Sequence, residues 1–292
     1  MYTTLIEPGE LAALLARNAT ADADGSGRRC AVLDCRFDLS RPQWGEAAYA
    51  AGHIPGALYA HLDRDLSGPV GGATGRHPLP APEPLAQTLG HWGIDAKIQV
   101  VAYDHGNGAC AARLWWLLRW AGHGKVAVLN GGFAAWQQCG LPTDTTPGES
   151  PPRTFIGRPA EEWVVSTAEL ERAVSAADLA SGKSMLVDAR PADRFAGENE
   201  TIDPVAGHIP GALSHPFARN VDAQGRFLPA SELRDRWRGT LGEAALDAGA
   251  LARVIAMCGS GVTACHNLLA LEIAGLPGAR LYAGSWSEWI RD

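Results

Sequence analysis

Cys258-Gly259-Ser260-Gly261-Val262-Thr263 is the stretch of this chain whose residue types are best suited to chemistry. The cysteine ends an apolar run, Ala252-Arg253-Val254-Ile255-Ala256-Met257, and a helical pattern begins at Thr263 and continues to Ala274. Two glycines let the loop between them curl until several backbone N–H groups meet at one point, an arrangement that holds an anion. The helix N-terminus adds unpaired N–H groups and the positive end of its dipole. Both features favour thiolate over thiol at Cys258 and would equally stabilise a negative group bonded to its sulfur. The spacing therefore predicts a nucleophile rather than the inert buried thiol that most cysteines are. Gly259, Ser260, Gly261, Val262 and Thr263 are expected to form the N–H cradle, with the Ser260 and Thr263 hydroxyls as further donors. Cys265, on the following helix, is expected to be core.

The elements that must position this loop occur twice. Ala51-Gly52-His53-Ile54-Pro55-Gly56-Ala57-Leu58 returns letter for letter at Ala206–Leu213. Before each copy stands an apolar run ending in Asp-x-Arg, at Asp34-Cys35-Arg36 and Asp188-Ala189-Arg190. After each copy, Gly132-Phe133-Ala134-Ala135-Trp136 answers Ser285-Trp286-Ser287-Glu288-Trp289. The offset stays between 153 and 155, which marks a duplicated domain. Residues 1–143 form the first copy and 160–292 the second, joined by an extended linker at 144–159 that is rich in Pro, Thr and Gly. Strands are expected at 99–103, 125–129, 252–257 and 279–282, and helices at 109–120, 132–138, 263–274 and 285–290. Short apolar strands alternating with helices predict an α/β fold in which each copy has a mainly parallel sheet flanked by helices. Ligands then bind beyond the carboxyl ends of the strands. In the first copy the position of Cys258 is taken by Asp104, in Tyr103-Asp104-His105-Gly106-Asn107-Gly108, so that copy is expected to have kept the fold and lost the nucleophile.

Composition removes other classes. A net charge of −7 opposes nonspecific binding to nucleic acid or anionic lipid. No run approaches the roughly 18 apolar residues of a membrane span. The six cysteines contain no CxxC pair, which speaks against structural zinc and a disulfide framework. The N-terminal stretch has no secretory pattern, its longest apolar run being Leu11 to Ala16, so a cytoplasmic location is expected.

On the paired Asp-x-Arg and Gly-His-Ile-Pro-Gly-Ala motifs, the Asp-for-Cys exchange and the Cys-Gly-Ser-Gly-Val-Thr loop, the chain resembles the tandem-rhodanese sulfurtransferases over essentially its whole length. The resemblance implies two rhodanese-like domains and a persulfide carried on Cys258. A small anionic donor would load the sulfur, and cyanide, a thiol or a thioredoxin would remove it, with no cofactor or metal. The neutral Gly-Ser-Gly loop is similar to that of 3-mercaptopyruvate sulfurtransferases, whereas thiosulfate-preferring members place basic residues there. Arg194 matches a substrate-binding arginine of the family. A second arginine, usual just before Gly-His-Ile-Pro-Gly, is replaced here by Glu200-Thr201-Ile202-Asp203-Pro204, which leaves one carboxylate clamp missing. Arg190 is no substitute, because its twin Arg36 points to a structural ion pair in both copies. A proposed family relay would fall on Ser260, His77 and Asp65. His53 and His208, kept in both copies, read as structural. Thiosulfate:cyanide transfer by the same mechanism is the alternative. A cysteine phosphatase lacks the arginine it needs at the loop's end, where Thr263, Ala264 and Cys265 stand. A non-enzymatic regulatory module would not need Cys258.

Overall fold

The apolar runs of the repeat are the inner strands of two parallel sheets in a computed structural model that describes residues 1–23, 29–246 and 249–291. Unit 1 comprises Met1–Ser67, Pro80–Pro159 and Ala223–Phe227; unit 2 comprises Gly68–Leu79, Ala160–Asp222 and Leu228–Asp292. In unit 1, β1 (Leu5–Ile6), β2 (Cys30–Asp34), β3 (Leu58–Tyr59), β4 (Gln99–Tyr103) and β5 (Val126–Leu129) lie in the order β1-β5-β4-β2-β3. Its helices are α1 (Pro8–Ala23), α2 (Trp44–Ala51), α3 (Leu62–Asp65), α4 (Pro82–His91), α5 (Ala111–Trp120) and α6 (Gly132–Gln138). In unit 2, β6 (Met185–Asp188), β7 (Leu213–Ser214), β8 (Val254–Met257) and β9 (Arg280–Leu281) lie in the order β7-β6-β8-β9. Around them are α7 (Thr167–Ser175), α8 (Ala192–Ala196), α9 (Ala230–Leu241), α10 (Thr263–Ile273) and α11 (Ser285–Trp289). No helix among the described residues is long and apolar enough to cross a membrane.

Strands β4 and β8 are buried along their whole length, as strands covered on both faces must be. Each is the central strand at which the chain passes from one side of its sheet to the other, so the loops after Tyr103 and Met257 leave at a switch point. Six elements begin or end differently from their expected bounds, three of them (Val126–Leu129, Thr263–Ile273 and Ser285–Trp289) by a single residue. Helix α5 starts at Ala111 rather than 109, because Cys110 still belongs to the turn and gives its N–H to Asp104. Strand β8 starts at Val254 because Ala250–Arg253 wind into a 3-10 turn. Strand β9 is only Arg280–Leu281.

The three repeated motifs converge within each unit. Arg36 pairs with Asp34 at 2.6 Å and donates to the Gly52 carbonyl at 2.7 Å, with its guanidinium 4.3 Å from the Phe133 ring. Arg190 pairs with Asp188 at 2.7 Å and donates to the Gly207 carbonyl at 2.8 Å, 4.8 Å from the Trp286 ring. All four charged side chains are buried. These are the structural ion pairs expected of both copies, and loss of one partner would strand the other charge. His53 stacks on Tyr49 and His208 on Phe195, each bonding a carbonyl through Nδ1. The division into units differs from the expected boundaries in three respects, one being that Ala223–Phe227 belongs to unit 1. The stretch 144–159 is extended but packs on unit 1, where Asp144 bridges His53 and the Arg153 N–H bonds the Gly90 carbonyl. The segment Gly68–Leu79, read as part of the first copy, belongs to unit 2. Such membership rests on contacts between residues far apart in the chain, which local pattern does not encode.

Candidate active site

The loop after β8 folds around the cysteine sulfur. Cys258 Sγ accepts the N–H groups of Gly261 at 3.1 Å and Ser260 at 3.4 Å, and Cys258 is 2% exposed. Gly261 has φ +78°, and a Cβ there would strike the Ala283 carbonyl oxygen, so the curl needs glycine at this position. Val262 is buried and Thr263 opens α10. Cys265 is fully buried and its thiol donates to the Gly261 carbonyl at 3.3 Å, consistent with a core residue.

Strand β9 and helix α11 clamp the loop from its other side. The Trp286 N–H bonds the Cys258 carbonyl at 3.0 Å, and the Ser287 N–H bonds the Gly259 carbonyl at 2.9 Å. Ser285 Oγ accepts the Cys258 N–H at 3.0 Å. Ser285 holds this place with φ +55°, a left-handed conformation uncommon for a non-glycine residue. Its counterpart in unit 1 is Gly132, at φ +58°.

Unit 1 shows what the same loop does with a carboxylate. Asp104 Oδ1 accepts the N–H groups of Gly106 and Gly108, both at 3.0 Å. Asp104 Oδ2 accepts those of Cys110 at 2.9 Å and Ala111 at 3.3 Å. The nest is closed on an internal anion. Burial pushes the nearby Cys35 and Cys110 thiols well up from their ordinary range, with Asp104 adding to the effect.

His77 and Ser260 meet as the relay requires: His77 Nδ1 and Ser260 Oγ are 2.7 Å apart and both residues are buried. Asp65 lies in unit 1, where its carboxylate accepts the His61 N–H at 2.8 Å and pairs with Arg64 at 3.4 Å. Arg194 stands beside the loop, its terminal nitrogens 3.7 Å from the point where a Gly259 Cβ would sit. Its charge is engaged, since Glu200 takes Nε and Nη2 at 2.8–3.1 Å and Asp203 takes Nη2 at 3.0 Å.

A second guanidinium stands beside the loop, although no arginine precedes Gly207. Arg76, from the Gly68–Leu79 segment, has Nη2 2.8 Å from the same Gly259 Cβ point and pairs with Asp203 through Nη1. Ser287 Oγ accepts the Arg76 N–H at 3.0 Å and the Glu288 carboxylate accepts the Gly75 N–H at 3.1 Å, which fixes the segment on α11. Arg76, Asp203 and Ser285 were not legible as site residues. The one available signal was that Arg76 precedes His77, a residue the resemblance had already selected.

The rhodanese-like domain matches this chain over residues 8–139 and again over 166–292. A probable 3-mercaptopyruvate sulfurtransferase of Pseudomonas aeruginosa is 50% identical over 263 residues, covering 89% of each chain. A putative thiosulfate sulfurtransferase of Mycobacterium tuberculosis is 37% identical over 267 residues, covering 91% of this chain and 90% of that one. Among solved structures, a 3-mercaptopyruvate sulfurtransferase from Leishmania major superposes with a TM-score of 0.82 at 30% identity, covering 98% of this chain and 74% of that one.

Proposed function

Since this chain belongs to the rhodanese family and carries its domain twice, we propose that it is a sulfurtransferase moving sulfur from 3-mercaptopyruvate to a thiophilic acceptor through a persulfide on Cys258. The observation that carries this reading is the pair of loops. In unit 1 four N–H groups close on Asp104, while in unit 2 the same turn presents N–H groups to the sulfur of Cys258. A cysteine persulfide has the same chain of heavy atoms as an aspartate, with Sγ in place of Cγ and the outer sulfur in place of an oxygen. The outer sulfur would lie in the same curl of the loop, beside the N–H groups of Ser260 and Gly261.

The chemistry follows from these positions. The Cys258 thiolate attacks the donor sulfur, the S–S bond forms and the donor's C–S bond breaks. Its electron pair passes into the enolate of pyruvate, and a proton delivered to the methylene carbon completes pyruvate. Ser260, on the Cys258 loop and hydrogen-bonded to His77, is the group that relays the proton. The persulfide anion rests in the N–H cradle until cyanide, a thiol or a thioredoxin-like dithiol attacks the outer sulfur. The Cys258 thiolate is then the leaving group, and no cofactor enters the cycle.

A relative named for thiosulfate makes that donor the second reading. The loop itself favours mercaptopyruvate, since Gly259, Ser260 and Gly261 carry no charge to receive a dianion. Measuring kcat/KM for both donors with cyanide as acceptor decides between them. The expected outcome is a preference for 3-mercaptopyruvate, and a preference for thiosulfate would overturn the donor assignment.

A further inference from the structure

We propose that unit 1 holds a ligand site of its own, a cavity at the amino ends of β4 and β5 that takes a small carboxylate with an apolar body. The cavity measures about 360 Å³, the size of pockets that hold small molecules. Three segments line it: the turn from α4 into β4 with Asp95 and Lys97, the turn from α5 into β5 with His123 and Lys125, and the stretch after it with Phe155 and Ile156. The Asp104 loop leaves the opposite end of β4, roughly 13 Å away along that five-residue strand. The cavity therefore shares no residue with the Asp104 loop or the Cys258 loop.

Positive charge is left over in it. Asp95 is matched by Arg153 at 2.8 Å and accepts the Lys97 backbone N–H at 2.8 Å. The ammonium groups of Lys97 and Lys125 make no hydrogen bond or ion pair among the described residues, although the chain as a whole has a net charge of −7. Helix α5 ends beside the cavity, yet its last carbonyls are already engaged. Those of Leu117, Leu118 and Arg119 accept the N–H groups of Ala121, His123 and Gly122 at 2.8–2.9 Å, so they repel an anion little.

His123 supplies the directed contact. It is 4% exposed, and its Nε2 is buried without a hydrogen-bond partner among the described residues. A ring nitrogen buried in this way is costly unless something bonds it. Gly124 follows it, where a Cβ would meet nothing within 4 Å, so the turn leaves space. Burial lowers the pKa of His123 and the Lys125 ammonium adds to this, against the Lys125 and Ile98 backbone and the Asp95 charge. The imidazole is thus neutral at neutral pH, and an anion would bias it towards the form with hydrogen on Nε2. The buried Phe155 ring, 6.1 Å from that of His123, forms an apolar wall, and Ile156 at the rim is 79% exposed. An apolar body lying against both would take Ile156 out of water. An inorganic anion brings no such body, and a neutral molecule leaves the two ammonium groups unmatched.

A titration of the full-length protein, labelled with carbon-13 in its histidine rings, tests the site without turnover. The chain has nine histidines, and His123→Gln identifies the signal that belongs to the cavity. Benzoate is expected to move that signal in a saturable way. Benzamide, which has the shape without the charge, and inorganic phosphate, which has charge without the apolar body, are each expected to bind at least fivefold more weakly. Lys125→Gln and Ile156→Ser are each expected to weaken benzoate at least threefold, and the exposed Ile156 can be changed without disturbing the core. A His123 signal that benzoate leaves unmoved up to its solubility limit overturns the proposal. So does benzamide or phosphate binding as tightly as benzoate, or a benzoate affinity that Ile156→Ser leaves unchanged. The readout involves no sulfur transfer, so its outcome is independent of the role assigned to Cys258.

Discussion

Replacing Ser285 by Ala and by Gly separates two energies that the structure superimposes on one residue. Ser285 is fully buried, holds φ +55°, accepts the Cys258 N–H at 3.0 Å and donates to the Tyr282 carbonyl at 3.0 Å. Ser285→Ala removes the hydroxyl and leaves the Cys258 N–H buried without an acceptor, which costs about 1–3 kcal/mol. It also keeps the strain of a left-handed residue, roughly 1–2 kcal/mol. Ser285→Gly loses the same bonds but relieves that strain, offset by about 0.5–1 kcal/mol of extra chain entropy. The Gly variant should therefore be more stable than the Ala variant by about 0.5–1 kcal/mol, with both below wild type. Urea unfolding of the three proteins reads the order directly. In both variants the entry to the Cys258 loop loosens, and kcat/KM for 3-mercaptopyruvate should fall about tenfold, equivalent to ~1.4 kcal/mol of transition-state stabilisation. If Ser285→Ala unfolds at or above the wild-type midpoint, the hydrogen bond contributes nothing. If it outlasts Ser285→Gly, the strain argument fails.

Two further outcomes follow from the same geometry. Ser260→Ala should lower kcat with 3-mercaptopyruvate by about a hundredfold, the scale of a lost proton relay, while thiosulfate, which leaves no carbanion to protonate, should be affected far less. Equal losses with both donors would remove Ser260 from the proton transfer. Burial lowers the pKa of His215 from 6.5 to about 4, against the wall of Trp237 and between Thr240 and Asn220. Between those values the unfolded chain takes up a proton that the folded one refuses. Stability should thus fall as pH drops from 6.5 towards 4, by at most roughly 3 kcal/mol. His215→Gln should flatten that limb of a pH-resolved denaturation series, and an unaltered slope would assign the acid sensitivity elsewhere.

The catalytic loop and the frame that carries it were legible because both rest on local pattern. Buried strands such as Gln99–Tyr103 are continuous apolar runs, and helix α6 matched its expected span of Gly132–Gln138. The repeated Asp-x-Arg and Gly-His motifs could be recognised as structural because Arg36 and Arg190 bind inside their own copies. The surroundings of the loop were less legible. Glu200 and Asp203 read only as the absence of an arginine, because their bonds to Arg194 and, for Asp203, to Arg76 leave no local pattern, and Arg76 joins unit 2 through bonds to residues more than 200 positions away. Ser285 read as the start of a helix, since a side chain's hydrogen bond to a distant N–H leaves no periodic trace.

The central claim is that Cys258 carries the transferred sulfur, and it is tested most directly by mass measurement after incubation with 3-mercaptopyruvate in the absence of acceptor. The account predicts one added sulfur on the peptide containing Cys258, pyruvate released in matching amount, loss of the added sulfur on addition of cyanide, and none of this in Cys258→Ser. Pyruvate released with no sulfur on Cys258, or the same modification in Cys258→Ser, would contradict it.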